Sequence, residues 1–116
     1  MPSEAAGSTP VQRTSSTHYC IIRHDLPVGV LAAQLIHAAG ESATGVEPGT
    51  FAVALAARDE AHLGFIEAKL RRLSIPHHSI REPDAPWNGA LMAIGLEPVT
   101  DRSLTKKVTK GLKLIK

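Results

Sequence analysis

The spacing of hydrophobic positions changes several times along the chain, and each change predicts an element. Tyr19-Cys20-Ile21-Ile22-Arg23 is short and rich in β-formers, which predicts a first strand. Pro27 and Gly29 close it. Over about residues 28–41, the helical angle of about 100° per residue gathers Leu31, Ala32, Leu35, Ile36 and Ala39 on one broad face. Gln34, His37 and Glu41 fall together on the other. Gly40 and the run 42–49 predict a stop and a loop. Residues 50–57 are continuously apolar without alternation, the pattern of a strand covered on both faces, and predict the central strand. Strand, helix, strand in this order implies a right-handed crossover between two parallel strands.

Asp59 is a natural N-cap for a second helix, in which Leu63, Ile66, Leu70 and Leu73 recur at helical spacing until Pro76. Residues 77–82 hold one strongly apolar position and predict an exposed or edge strand. A rigid polar connection, 83–88, leads to a last strand over 89–96, close enough to pair with it as an antiparallel hairpin. A short helix is expected from residue 100 or 101 to about 110, halted by Gly111, with Leu112-Lys113-Leu114-Ile115 packing back as a tail. The expected fold class is therefore α/β, one domain with a four-stranded mixed sheet flanked by helices. Residues 1–17, rich in Ser, Thr, Ala and Gly, are expected to be a disordered tail, and 18–116 the domain.

Composition narrows this reading. Aromatics make up 3% of the 116 residues and hydrophobic types 43%, so the core must be built from Ala, Leu, Ile and Val. Cys20 has no partner for an internal disulfide, and no segment is long and apolar enough for a signal core or a membrane span, so a soluble cytoplasmic protein without a membrane partner is expected. The net charge of +2 is unevenly spread. Residues 101–116 carry 6 Lys/Arg against 1 Asp/Glu, whereas residues 1–100 carry 7 against 10.

The chemistry-bearing residues fall in three groups. Gln34 and His37, three apart on a helix, are neighbours that can hold a carbonyl or water and shuttle a proton, or His37 can simply bond a backbone carbonyl under a loop. Glu82 and Asp84, set between Pro83 and Pro86 and followed by Trp87, can supply a general base and a positioning carboxylate, or form a solvated turn. On a continuous helix Arg102, Lys106, Lys110 and Lys113 would form a basic stripe suited to phosphates, or a solvated face. Nucleotide-binding glycine fingerprints are absent, no cofactor is called for, and a metal is not expected because His77 and His78 point to opposite sides of a strand.

Together these motifs resemble the second, archaeal and eukaryotic-type family of peptidyl-tRNA hydrolases, and more closely its short bacterial and phage relatives. The likeness rests on Arg23-x-Asp25-Leu26 with Ala32-Ala33-Gln34-x-x-His37-Ala38, on Arg81-Glu82-Pro83-Asp84, and on Val108-Thr109-x-Gly111-Leu112-Lys113-Leu114. It implies hydrolysis of the ester joining a peptide or N-blocked amino acid to tRNA, without a cofactor. By position, Asp84 would be the base, Gln34, His37 and Glu82 would share its cleft, and Arg23, Arg102, Lys106, Lys110 and Lys113 would hold the RNA. It also implies a homodimer. Two features depart from the family pattern: Val30 stands where longer relatives carry a lysine segment, and no threonine follows Asp84 in the loop. The alternatives are a tRNA-binding relative without turnover and a small ligand-binding regulatory domain of ferredoxin-like type.

Overall fold

Ile21 and Ile22 point to opposite faces of strand β1 (Thr17–Arg23), and both are fully enclosed, which is why this strand reads as an unbroken apolar run. The computed structural model describes residues 16–116. The expected tail lies outside them except for its last two residues: Ser16 and Thr17 are buried, and Thr17 already pairs with Phe51 and Val99. Strand β2 (Phe51–Ala57) lies parallel to β1, as the strand–helix–strand order requires, with Cys20 opposite Ala54. It is not the central, doubly covered strand expected, because β1 holds the middle of the sheet and Phe51 and Ala52 are exposed, the apolar run of β2 being largely alanine.

Between them runs helix α1 (Val28–Ser42), with Pro27 at its N-cap and no side chain capping its free N–H groups. Its inward face keeps Leu31, Leu35 and Ala39 of the expected one, partly buried against the sheet, and corrects the rest. Gln34, Ala38 and Ser42 are buried, whereas Ile36 is 72% exposed and Ala32 also faces out. The cause is compositional: the first three turns are apolar nearly all round, so the pattern lacks the polar stripe that would set its phase. Small side chains decide the seat instead. A Cβ on Gly95 would overlap the Ala38 carbonyl oxygen and the Ser42 hydroxyl, so α1 lies against the sheet where that strand has no side chain.

Helix α2 (Glu60–Arg72) covers the other face, capped as expected by Asp59, whose Oδ1 accepts the His62 backbone N–H at 2.9 Å. Leu63, Ile66 and Leu70 sink into a core with Tyr19, Ile21, Leu55 and Ile94, while Cys20, Ile22, Ala38 and Met92 pack on the α1 side. Strands β3 (His77–Glu82) and β4 (Ala90–Leu96) form the expected antiparallel hairpin, with a register shift at Ile80/Arg81.

The C-terminal region departs most from expectation. The helix expected to reach residue 110 is a single turn, α3 (Lys106–Thr109), which buries Val108 and Thr109; Gly111 at φ 89° then turns the chain. The apolar tail becomes strand β5 (Lys113–Leu114), antiparallel to β2, so the sheet has five strands rather than four, in the order β3-β4-β1-β2-β5. Backbone demand explains the change: the outer edge of β2 offers unpaired N–H and C=O groups, and Leu114 and Ile115 satisfy part of it. The protein is thus a single α/β domain with a mixed sheet between helices. Among the described residues no helix is long and apolar enough to cross a membrane.

Candidate functional site

The strand register pairs Glu82 with Ala90, Arg23 with Ala57 and Ala56 with Lys113, which brings these residues towards one end of the sheet. This is the carboxyl end of the parallel pair, the place where open α/β sheets commonly bind ligands. On the β3 side of this end, an open cleft of about 370 Å³ is walled by Gly29, Val30 and Gln34 of α1 and by Glu82, Asp84 and Trp87. Its loop is held by its own backbone. The Trp87 and Asn88 N–H groups both donate to the Asp84 carbonyl (2.9 and 3.1 Å), and Gly89 N–H donates to the Glu82 carbonyl at 2.6 Å. Gly89 adopts φ 90°, a conformation that glycine alone takes without strain, and so returns the chain to β4.

Gln34 lies at the base of the cleft, 4% exposed, and its Nε2 donates to Glu82 Oε1 at 3.0 Å. The second Glu82 oxygen accepts the Asp84 backbone N–H at 3.2 Å. Glu82 is thereby held as an acceptor from both sides, while the Asp84 carboxylate stands exposed at the rim. Among the described residues Gln34 Oε1 is buried without a hydrogen-bond partner, an arrangement that costs about 1–3 kcal/mol. A leucine of similar size would avoid that cost but would lose the bond to Glu82.

Arg23 serves this site from behind. Its guanidinium binds Asp25 through two bonds of 2.8 Å, donates to the Leu91 carbonyl at 3.3 Å and lies 3.9 Å from Glu60. The hydrogen bonds with Asp25 raise the basicity of Arg23 and hold the Asp25 carboxyl below its ordinary range. The same guanidinium sits 5.6 Å from the centre of the Trp87 ring, a cation–π contact that fixes the indole. Expected as an RNA contact, Arg23 is instead engaged by two carboxylates and buried.

Two other expectations part from the geometry. His37 lies on the exposed face of α1 and does not line the cleft, because the buried stripe runs through Gln34 and Ala38. The basic stripe is broken as well. Arg102 donates to the Tyr19 hydroxyl at 3.3 Å beside Thr17 and Thr100, at the end of β1 opposite Arg23, whereas Lys113 lies at the cleft's end of the sheet. Lys106 belongs to the short α3, and Lys110 follows it as its C-cap, so the four cations do not share one face.

A solved structure from Agrobacterium tumefaciens, described as a protein of unknown function, Atu0240, is similar to this chain. The two are 20% identical, with a TM-score of 0.59 and an alignment spanning 90% of this chain and 100% of that one. At that identity the likeness is one of fold. No protein-family model matches the chain, and no curated protein matches it in sequence.

The residues that sequence reasoning missed lie beside Lys113: His24, Arg58 and His62. Their signal is positional. Each follows or closely follows the carboxyl end of β1 or β2, where the strand order alone directs attention.

Proposed function

We propose that the chain hydrolyses the ester bond of peptidyl-tRNA or N-blocked aminoacyl-tRNA, releasing free tRNA in the cytoplasm, as the resemblance to the second peptidyl-tRNA hydrolase family implies. The observation that carries this reading is the meeting of Gln34, Glu82, Asp84 and Trp87, from a helix, a strand end and a loop, in one open cleft. Asp84 takes a proton from the attacking water as the water oxygen bonds to the ester carbonyl carbon. The uncapped N–H groups of Gly29 and Val30, in the cleft wall, supply donors for the oxyanion that forms. Collapse of the tetrahedral intermediate expels the ribose oxygen, which receives the proton from Asp84. Glu82, held by Gln34 and by the Asp84 N–H, positions the loop, and Trp87 offers a ring on which the terminal base stacks.

A second reading, tRNA binding without turnover, is favoured by the outward position of His37. Incubation with N-acetyl-aminoacyl-tRNA separates the two. We expect ester release that falls about 10²–10⁴-fold in Asp84→Asn and falls less in Gln34→Leu. Release at the spontaneous rate, at enzyme in excess over tRNA, refutes the hydrolase and leaves the binding protein.

A further inference from the structure

Across the same end of the sheet, on the β2 and β5 side, two open hollows share His24, Ala56 and Lys113 and so form one groove. Its lining contains five basic side chains, His24, Arg58, His62, Lys113 and Lys116, and no acidic side chain. The nearby acids are already engaged: Asp59 Oδ1 caps α2 through the His62 N–H, and Glu60 Oε2 accepts the Leu91 N–H at 2.8 Å. None of these five side chains is in an ion pair among the described residues. The His62 ring is oriented by the Arg58 backbone N–H, which donates to Nδ1 at 3.0 Å. With Nδ1 accepting that bond, the ring N–H is on Nε2, a donor for a ligand oxygen. Ala56 and Leu112 supply a small apolar floor.

We infer that this groove binds the phosphodiester backbone of the RNA whose 3′ end enters the cleft, an inference that rests on the tRNA reading above. The two halves of the sheet end sort the ligand by charge. Glu82 and Asp84 repel phosphates, so an uncharged ester reaches the cleft, while Arg58, Lys113 and Lys116 collect the phosphates, with the His62 Nε2–H as a further donor. Four strand spacings separate β3 from β5, about 19 Å, or roughly five or six stacked nucleotides at 3.4 Å each. Arg102 and Lys106, the cations that sequence alone puts forward, lie outside this groove.

The test is anisotropy of labelled deacylated tRNA titrated with the full chain between 50 and 200 mM NaCl, together with ester release. Each of Arg58→Ala and Lys113→Ala should weaken binding about five- to eightfold at 0.1 M salt and lower the salt slope by about 0.7–0.9. Arg72→Ala, on the last turn of α2, controls for loss of one positive charge and should bind as the parent chain does. Circular dichroism checks the fold of each variant, and Arg58, exposed and outside any strand, keeps the test valid if Lys113→Ala disturbs β5. Parent-like affinity in both groove variants, or a loss confined to Arg102→Ala and Lys106→Ala, overturns the inference. Failure of the ester reading shows differently: tRNA binding follows the groove variants while no ester is released.

Discussion

Gly95→Ala should unseat α1 from the sheet. A methyl group there would sit 2.8 Å from Ser42 Cβ and closer still to the Ala38 carbonyl oxygen and the Ser42 hydroxyl, where ordinary contacts begin at 3.4 Å. The carbonyl belongs to the helix backbone and cannot rotate away, so α1 must withdraw by on the order of 1 Å. Overpacking of this kind costs about 1–3 kcal/mol. Ser42 is fully buried and bonds both the Ala38 carbonyl (2.6 Å) and His18 Nε2 (2.8 Å), and straining that pair adds about 1–2 kcal/mol. The sum, about 2–5 kcal/mol, is a large share of the 5–15 kcal/mol typical of a domain. Urea unfolding should therefore show a midpoint lower by about 1–2.5 M at an unchanged slope of about 2 kcal/mol per M. Ser42→Gly in the same chain removes two of the three clashes and should recover part of the loss, giving a coupling of about 0.5–3 kcal/mol in a double-mutant cycle. Gln34 lies one helical turn from Ala38, so its 3.0 Å bond to Glu82 stretches with the helix and ester release falls too. A loss below about 1 kcal/mol would refute the claim that backbone proximity at Gly95 fixes α1.

Two further outcomes follow from buried groups. Burial pushes the Glu67 carboxyl upward, but hydrogen bonds from Arg81 (2.9 Å) and Ser79 (2.6 Å), with Arg71 nearby, outweigh it and hold the group below the ordinary glutamate range. Its stabilisation is thus complete above the unfolded value of about 4.3 and is lost as pH falls through the lower folded value, so Glu67→Gln should flatten acid unfolding in that window and lose about 1–3 kcal/mol at pH 7; equal acid slopes in both chains would contradict it. Burial raises the Cys20 thiol, only partly offset by a hydrogen bond with Ser42, so a disulfide reagent should label the native chain slowly at pH 8 and faster as urea opens it; rapid native labelling would place Cys20 outside the core.

Where side chains report burial on a clear period, the sequence is informative. The Asp59 cap, the spacing of Leu63, Ile66 and Leu70 and the strand–helix–strand order lead directly to the parallel pair and α2, whereas the apolar run of β2 overstates its burial and its place in the sheet. The loop carrying Glu82, Asp84 and Trp87 is also legible, because prolines and a turn glycine limit what its backbone can do. The phase of α1 is not. Its inward face is chosen by the bare backbone at Gly95, a contact between segments far apart in the chain, and this same choice buries Gln34 and turns His37 outward. The basic C-terminal segment misleads for another reason. Lysines at helical spacing look alike in a helix and in a turn followed by an edge strand, and only the unpaired edge of β2 decides between them.

The position of β1 in the middle of the sheet also bears on synthesis. Its partner on one side, β2, follows soon after it, but Cys20, Ile21 and Ile22 meet their other partners only when residues 93–95 are made. At roughly 5–20 residues per second, one edge of the most apolar strand stays unpaired on the ribosome for about 4–15 s. During that interval the nascent chain presents a sticky β edge, and the β3–β4 hairpin, arriving as a unit, is the step that ends its exposure. Slowing translation between residues 57 and 90 should therefore increase dependence on chaperones that shield unpaired strands.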